Sequence, residues 1–205
     1  MIVIVDYGMG NLGSVLNMLK KIRVEAVISS DPSVIGKAFK LILPGVGAFD
    51  NGMKNLEERG LIPLLEEKVI KQKVLILGVC LGMQLFTKKS EEGKSAGLGW
   101  IDAHVVRFNF EHSIGKLRVP HMGWNTIEIV QEHRLFKDMF EEERFYFVHS
   151  YHVKCNNNSN ILSLTKYGYN FPSSIIKENI IGVQFHPEKS HKFGMKLLKN
   201  FVEFC

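Results

Sequence analysis

Through the first 90 residues, short runs that are apolar on both faces alternate with longer stretches in which apolar residues recur every three or four positions. Residues 2–5, 24–28, 41–43 and 74–77 are runs of the first kind, as parallel strands buried on both faces require. The stretch 12–22 is helical in pattern, and Phe49, Met53 and Leu56 share one helical face. Pro63 is placed to start a further helix carrying Leu64, Leu65, Val69 and Ile70. Beyond Gly93 the pattern changes to alternation broken by turn residues. WIDAHVVRFNF, KLRVPHMGWNTIEIV, RFYFVHSYHVKC and the segment ending NIIGVQFHP predict strands, several of them antiparallel, with CNNNSN as a polar turn between two. Phe193, Leu197, Phe201 and Val202 form the apolar stripe of a closing helix. The pattern predicts an α/β fold: a central, mostly parallel sheet flanked by helices, with an added antiparallel section in the second half. No linker, repeat or low-complexity segment divides the chain, so one domain over 1–205 is expected.

Charge and composition narrow the function classes. The net charge of +5 comes from scattered basic residues whose longest runs are pairs such as Lys88-Lys89, which speaks against a nucleic-acid-tracking stripe. The N-terminus lacks a basic n-region and a long apolar run, so neither a signal peptide nor a membrane span is expected, and the cytoplasm is the expected compartment. Three cysteines without C-x-x-C spacing argue against a disulfide framework and a thiolate zinc site. No cofactor and no metal are therefore expected, with one reservation. Gly8, Gly10 and Gly13 spell G-x-G-x-x-G between the first strand and first helix, and Glu25 or Asp31 could serve as the acidic partner of a dinucleotide site.

The stretch VLILGVCLGMQLF carries more chemistry. A buried strand runs into Gly78-Val79-Cys80-Leu81-Gly82 and then a helix, the nucleophile-elbow pattern with cysteine at its centre. Side chains two residues either side of a nucleophile on so tight a turn would collide, which is why glycine is needed there. The helix N-terminus favours a thiolate, and the Leu81 N–H is aimed where an oxyanion would form. Gln84 lies one helical turn further along the same face. Intracellular cysteines are more commonly inert buried side chains; the flanking glycines and strand context tip Cys80 to the catalytic reading, whereas Cys155 and Cys205 lack such a context.

A cysteine nucleophile needs a base and a group to orient it. Among eight histidines, His186 in GVQFHPEKS has Glu188 two residues on, so in an extended segment stiffened by Pro187 both side chains share a face. His149 and His152 are expected on opposite faces of one strand without a neighbouring carboxylate, at least one of them structural. The loop Pro44-Gly45-Val46-Gly47 closes a strand with small residues, able either to lend a second oxyanion N–H or simply to make a tight connection.

PGVGAF, GVCLGMQLF and FHPEKS, in that order, resemble the class I (triad) glutamine amidotransferases over essentially the whole chain. PHMGWN, YGMGN and FVHSY are most similar to the glutaminase subunits of imidazole glycerol phosphate synthases. The resemblance implies a class I glutamine amidotransferase-like fold and a Cys80–His186–Glu188 triad that hydrolyses L-glutamine to L-glutamate and ammonia. It implies that Val46 or Gly47 and Leu81 supply oxyanion N–H groups, and that Gly47, Gln84, Ser150 and Tyr151 hold glutamine. It also implies a (β/α)8 cyclase subunit that takes the ammonia for histidine biosynthesis, in a heterodimer, with Asn11, Trp124, Tyr146 and Lys189 at the interface. Two other readings stand beside it: a paralogue feeding ammonia to the amidation of a surface-polysaccharide sugar, and a dinucleotide-binding module on the opening glycines.

Overall fold

The computed structural model describes residues 1–110, 117–140 and 142–205. The first half alternates β1 (Ile2–Val5), α1 (Leu12–Lys21), β2 (Ala26–Ser29), α2 (Pro32–Gly36), β3 (Lys40–Gly45), α3 (Phe49–Glu58), α4 (Leu61–Leu65), β4 (Leu75–Cys80) and α5 (Leu81–Leu85). The second half is strand-rich: β5 (Ala103–Arg107), β6 (His121–Thr126), β7 (Glu128–Ile129), β8 (Arg144–His149), β9 (Tyr151–Cys155), β10 (Ile161–Tyr167), β11 (Tyr169–Lys177) and β12 (Ile180–Val183), closed by α6 (His191–Glu203).

Eight strands form one sheet in the order β2-β1-β3-β4-β12-β11-β10-β7. The pairings from β2 to β12 are parallel and those from β12 to β7 antiparallel, so the sheet is mixed as its two sequence textures predict. Two antiparallel ribbons, β5–β9 and β6–β8, lie outside it. Two apolar clusters fill the interior, with Leu41, Leu43 and Ile76 in one and Ile42, Leu77 and Val79 in the other; adjacent strand residues face opposite ways, so each cluster covers one face of the sheet.

Several boundaries depart from the sequence expectations. The second strand begins at Ala26, and as the edge strand it is only half-buried, with Val27 37% exposed. Pro63 is the third residue of α4, whose start is set by Gly60 in the left-handed region at φ 65°. Proline is tolerated there because a first-turn N–H has no intrahelical partner. The segment expected to be a strand from 116 onward becomes one only at His121; Lys116 lies outside the described residues. The sequence pattern does not delimit the pair β10–β11, which lies toward the β7 edge of the sheet. Its apolar side chains are interleaved with buried serines, and Ser163 satisfies its hydroxyl on Ser173 and Ser174 at 2.9 and 2.6 Å.

One long-range tie fixes the ends of the sheet layer. The Lys40 ammonium donates to the carbonyls of Phe201, Val202 and Cys205 at 2.7–3.0 Å, capping the C-terminal end of α6 against β3. Adjacent parallel strands β3, β4 and β12 all end at one edge, where Gly45 pairs with Cys80 and Val79 with Val183. Crevices at the carboxyl ends of such strands are where open α/β sheets bind ligands.

Candidate active site

The turn at Cys80 has the strained geometry its spacing predicts, with φ 53° and ψ −108° in a non-glycine residue. Such a conformation costs on the order of 1–3 kcal/mol and persists only where the surroundings enforce it. A Cβ at Gly78 would run into the backbone of Gly82 and Met83 and the ring of Phe86. A Cβ at Gly82 would overlap the carbonyl oxygen of Leu43, so that glycine answers to the neighbouring strand β3 rather than to Gly78. The sulfur is thereby presented at the carboxyl edge of the sheet.

His186 reaches the same edge from the end of β12. The segment after it is a tight 3-10 turn, Pro187–Lys189, and not extended as the sequence suggested. Even so, His186 Nδ1 lies 2.7 Å from Glu188 Oε1, with the two side chains 1% and 3% exposed. The turn is tied to β8: His186 N–H donates to the Tyr146 carbonyl, Tyr146 N–H to the Ser190 hydroxyl, and that hydroxyl to the His186 carbonyl. His186 Nε2 is buried with no hydrogen-bond partner among the described residues, leaving it free for a reacting group. Burial alone would lower the His186 pKa; the negative charge of Cys80, followed by Glu188, outweighs it and raises the value. The arrangement therefore favours an imidazolium beside the cysteine at neutral pH. Burial pushes the Cys155 thiol up to about 12 and Cys205 up to about 11, so neither is an effective nucleophile.

A cavity of about 240 Å³ opens onto these groups. Of the residues expected to act there, Val46, Gly47, Cys80, Leu81, Gln84, Ser150, Tyr151 and His186 all line it. Gly47 has φ 130°, a conformation side chains rarely adopt, and the Met9 methyl occupies the space a Cβ would need. Gln84 is buried, and its amide nitrogen already donates to the Tyr151 carbonyl and to Gln184 Oε1, both at 3.1 Å. Two larger cavities, of about 1030 and 970 Å³, touch neither Cys80 nor His186.

Sequence reasoning missed two participants. Gln184 is fully buried and its Nε2 donates to Cys80 Sγ at 3.5 Å; its place beside FHPE carries no signal that separates it from a core residue. Glu92 also lines the cavity, where its carboxylate accepts from Phe49 N–H at 2.8 Å and caps α3, whose own N-cap Ala48 has no side-chain oxygen. The placing of His149 and His152 on opposite faces is corrected. The strand breaks at Ser150, and both rings face Phe108 and Phe171. His152 is held by the Val153 carbonyl and Tyr169 hydroxyl, whereas His149 lines the cavity. Among the described residues no cluster of three metal-ligating side chains occurs.

The chain matches the family model described as glutamine amidotransferase class-I across residues 3–204. This chain belongs to the class I glutamine amidotransferases. Its relatives include a 54% identical protein of Methanococcus maripaludis and a 49% identical one of Pseudomonas aeruginosa, each named imidazole glycerol phosphate synthase subunit HisH 2 and each matched over 99% of both chains. A 49% identical relative from Sulfurimonas denitrificans, named imidazole glycerol phosphate synthase subunit HisH, aligns over 100% of this chain and 98% of its own. Among solved structures, a glutamine amidotransferase superposes with TM-score 0.77 at 19% identity, covering 99% of this chain and 98% of the other. That likeness shows a class I glutamine amidotransferase fold.

In this glutamine amidotransferase the opening glycines do not build a dinucleotide site. Gly13 is exposed with nothing within 4 Å of a would-be Cβ, so it is not the helix-packing glycine that the fingerprint requires. Glu25 is exposed, and Asp31 caps α2 by accepting from Ser33 N–H at 2.7 Å. Gly10, at φ 92°, lies against the backbone of Pro44 and Gly45, so the first loop supports the loop beside the cysteine. Asn11 caps α1 through Ser14 N–H. Trp124, 46% exposed, stacks on His191 at 5.5 Å and meets Tyr146 edge-on, while the Lys189 ammonium lies over the Tyr146 ring at 5.6 Å.

Proposed function

We propose that this chain is the glutaminase subunit of an imidazole glycerol phosphate synthase, acting through a Cys80–His186–Glu188 triad. The observation that carries the reading is the convergence of the strained cysteine, the carboxylate-bound imidazole and the Val46–Gly47 loop on one small cavity. The names of relatives aligned over nearly the whole chain support the assignment to that synthase. The chain acts as one domain over 1–205 in the cytoplasm, where its free thiols stay reduced.

The Cys80 thiolate attacks the side-chain amide carbon of glutamine, forming a C–S bond and placing negative charge on the former carbonyl oxygen. The N–H groups of Leu81 and of Val46 or Gly47 receive that charge. As the intermediate collapses, the C–N bond breaks and the His186 imidazolium gives its proton to the leaving nitrogen, which departs as ammonia. Water then attacks the thioester carbonyl while His186 Nε2 takes a proton from it. The C–S bond breaks, glutamate leaves, and thiolate and imidazolium are restored. Gly47, Gln84, Ser150 and Tyr151 hold glutamine in place.

Ammonia released into bulk water would be protonated and lose its nucleophilicity, so the site needs a docked acceptor enzyme. A (β/α)8 cyclase seated on the exposed Trp124–Tyr146–Lys189 patch and near Asn11 meets that need, and an exposed aromatic is a sound interface anchor. The test is glutamate release by the full chain, alone and with the cyclase and its acceptor, with Cys80→Ala as control. Stimulation by the cyclase and none in Cys80→Ala is expected. Absence of glutamate release even with the cyclase present refutes the glutaminase, and stimulation only by a sugar-amidating partner moves the acceptor assignment.

A further inference from the structure

His149 stands at the wall of the glutamine cavity, and behind it runs a chain of hydrogen bonds whose direction is forced at every step. The Tyr151 carbonyl can only accept, and His149 Nδ1 lies 2.8 Å from it, so the proton of His149 sits on Nδ1. Burial holds the His149 pKa well below its ordinary value, and the neighbouring His121, His152 and His186 push the same way, so the ring is neutral. Its Nε2 is therefore an acceptor, and the group facing it at 3.1 Å is His121 Nδ1, which must donate. Burial lowers the His121 pKa to about 4, so its Nε2 in turn is an acceptor and is met by Asn125 Nδ2 at 3.2 Å. The second hydrogen of that amide goes to the Lys166 carbonyl at 3.1 Å, while Asn125 Oδ1 accepts from Thr126 N–H and fixes which way the amide faces.

The rings are also clamped. His121 is the register partner of His149 across β6 and β8 and is stacked between Tyr167 and Phe147, at centroid distances of 4.1 and 4.8 Å. At the far end the Tyr151 carbonyl accepts from Gln84 as well as from His149. The chain between His149 and Tyr151 is the strand break whose residues Ser150 and Tyr151 line the cavity.

We infer that His121 and Asn125 are positioning residues for glutamine: the directed chain Asn125–His121–His149–Tyr151 holds the Ser150–Tyr151 turn in place against Cys80. The inference rests on the glutaminase reading and adds to it two residues, His121 and Asn125, that lie outside the lining of the glutamine cavity. The directed chain also keeps His149 neutral beside the His186 imidazolium.

Three variants separate a wire from packing. His121→Phe keeps an aromatic ring between Tyr167 and Phe147 and removes both nitrogens. His121→Asn loses the ring and keeps a donor near the place of Nδ1–H, and His121→Gln reaches instead toward the place of Nε2. Assayed as the full chain with its cyclase, His121→Phe is expected to raise the glutamine KM about tenfold with kcat changed less than about threefold, tenfold being the scale of one buried hydrogen bond. His121→Asn should stay nearer the parent KM than His121→Gln or His121→Phe. A packing role predicts the reverse order, with phenylalanine the mildest, and that result overturns the inference, as does a parent-like KM in His121→Phe. Nitrogen-15 NMR of the histidines in the full chain gives a readout independent of turnover. A proton on Nδ1 alone in both His121 and His149 is expected, and a proton on Nε2 of either ring overturns the wire. Failure of the glutaminase reading looks different: the parent chain releases no glutamate, while the two histidine forms remain readable.

Discussion

Glu188→Gln isolates what the buried carboxylate does for the imidazole. The Nδ1–Oε1 contact is 2.7 Å between side chains 1% and 3% exposed, and Glu188 Oε2 is buried without a partner. Glutamine is nearly isosteric, and its carbonyl oxygen can still accept from Nδ1–H, so the variant removes the negative charge and little else. Burial disfavours the imidazolium, and Cys80 with Glu188 reverses that balance. Without the carboxylate the His186 pKa falls, each pH unit corresponding to about 1.4 kcal/mol. The sign follows directly: the protonated imidazole is the acid that releases ammonia, activity is lost as pH rises through its pKa, and a lower pKa moves that loss to lower pH. The basic limb of kcat/KM should therefore move down by at least about one pH unit. At neutral pH kcat should fall on the order of 10²- to 10⁴-fold, the range for a mispositioned or mischarged general acid–base. The assay is glutamate release across pH 5.5 to about 10 with the partner present, with thermal melting as a folding control. A variant that melts near the parent, keeps its basic limb and loses less than about threefold in rate would refute the role given to Glu188.

Other substitutions probe separate parts of the account. Gly82→Ala forces a methyl into the Leu43 carbonyl, and a thermal or denaturant melt should show a loss of about 3 kcal/mol or more, together with loss of glutaminase activity. Gln184→Ala removes the donor to Cys80 Sγ and the acceptor for Gln84; kcat should fall about tenfold, read by steady-state glutamate release. Trp124→Ala should weaken cyclase binding by about 1–3 kcal/mol in calorimetry while the isolated chain melts within a few degrees of the parent.

The elements that sequence made legible are those in which one physical demand dominates. Fully apolar runs became β1, β3 and β4, and Gly78 and Gly82 flanking a cysteine announced a turn that only glycine permits. His186 and Glu188 were paired correctly for an incomplete reason, since a 3-10 turn tied to β8 brings them together rather than an extended segment. What stayed hidden depends on contacts between residues far apart in the chain. Ser163 is buried on serines across a strand pair, Gln184 reaches the sulfur only after β12 joins β4, and the strand break at Ser150 that turns His149 to the cavity leaves no mark in the alternation. Gly13 shows the opposite failure: a motif complete in letters whose third glycine packs against nothing.

Turnover through the triad requires a covalent bond to one sulfur, and acid-quenched mass spectrometry of the chain during glutamine turnover, with its cyclase present, observes that bond directly. A glutamyl adduct on the peptide containing Cys80, absent from Cys80→Ala and from the peptides carrying Cys155 and Cys205, is the predicted result. Glutamate release by Cys80→Ala at the parent rate, or an adduct on another residue, would contradict it.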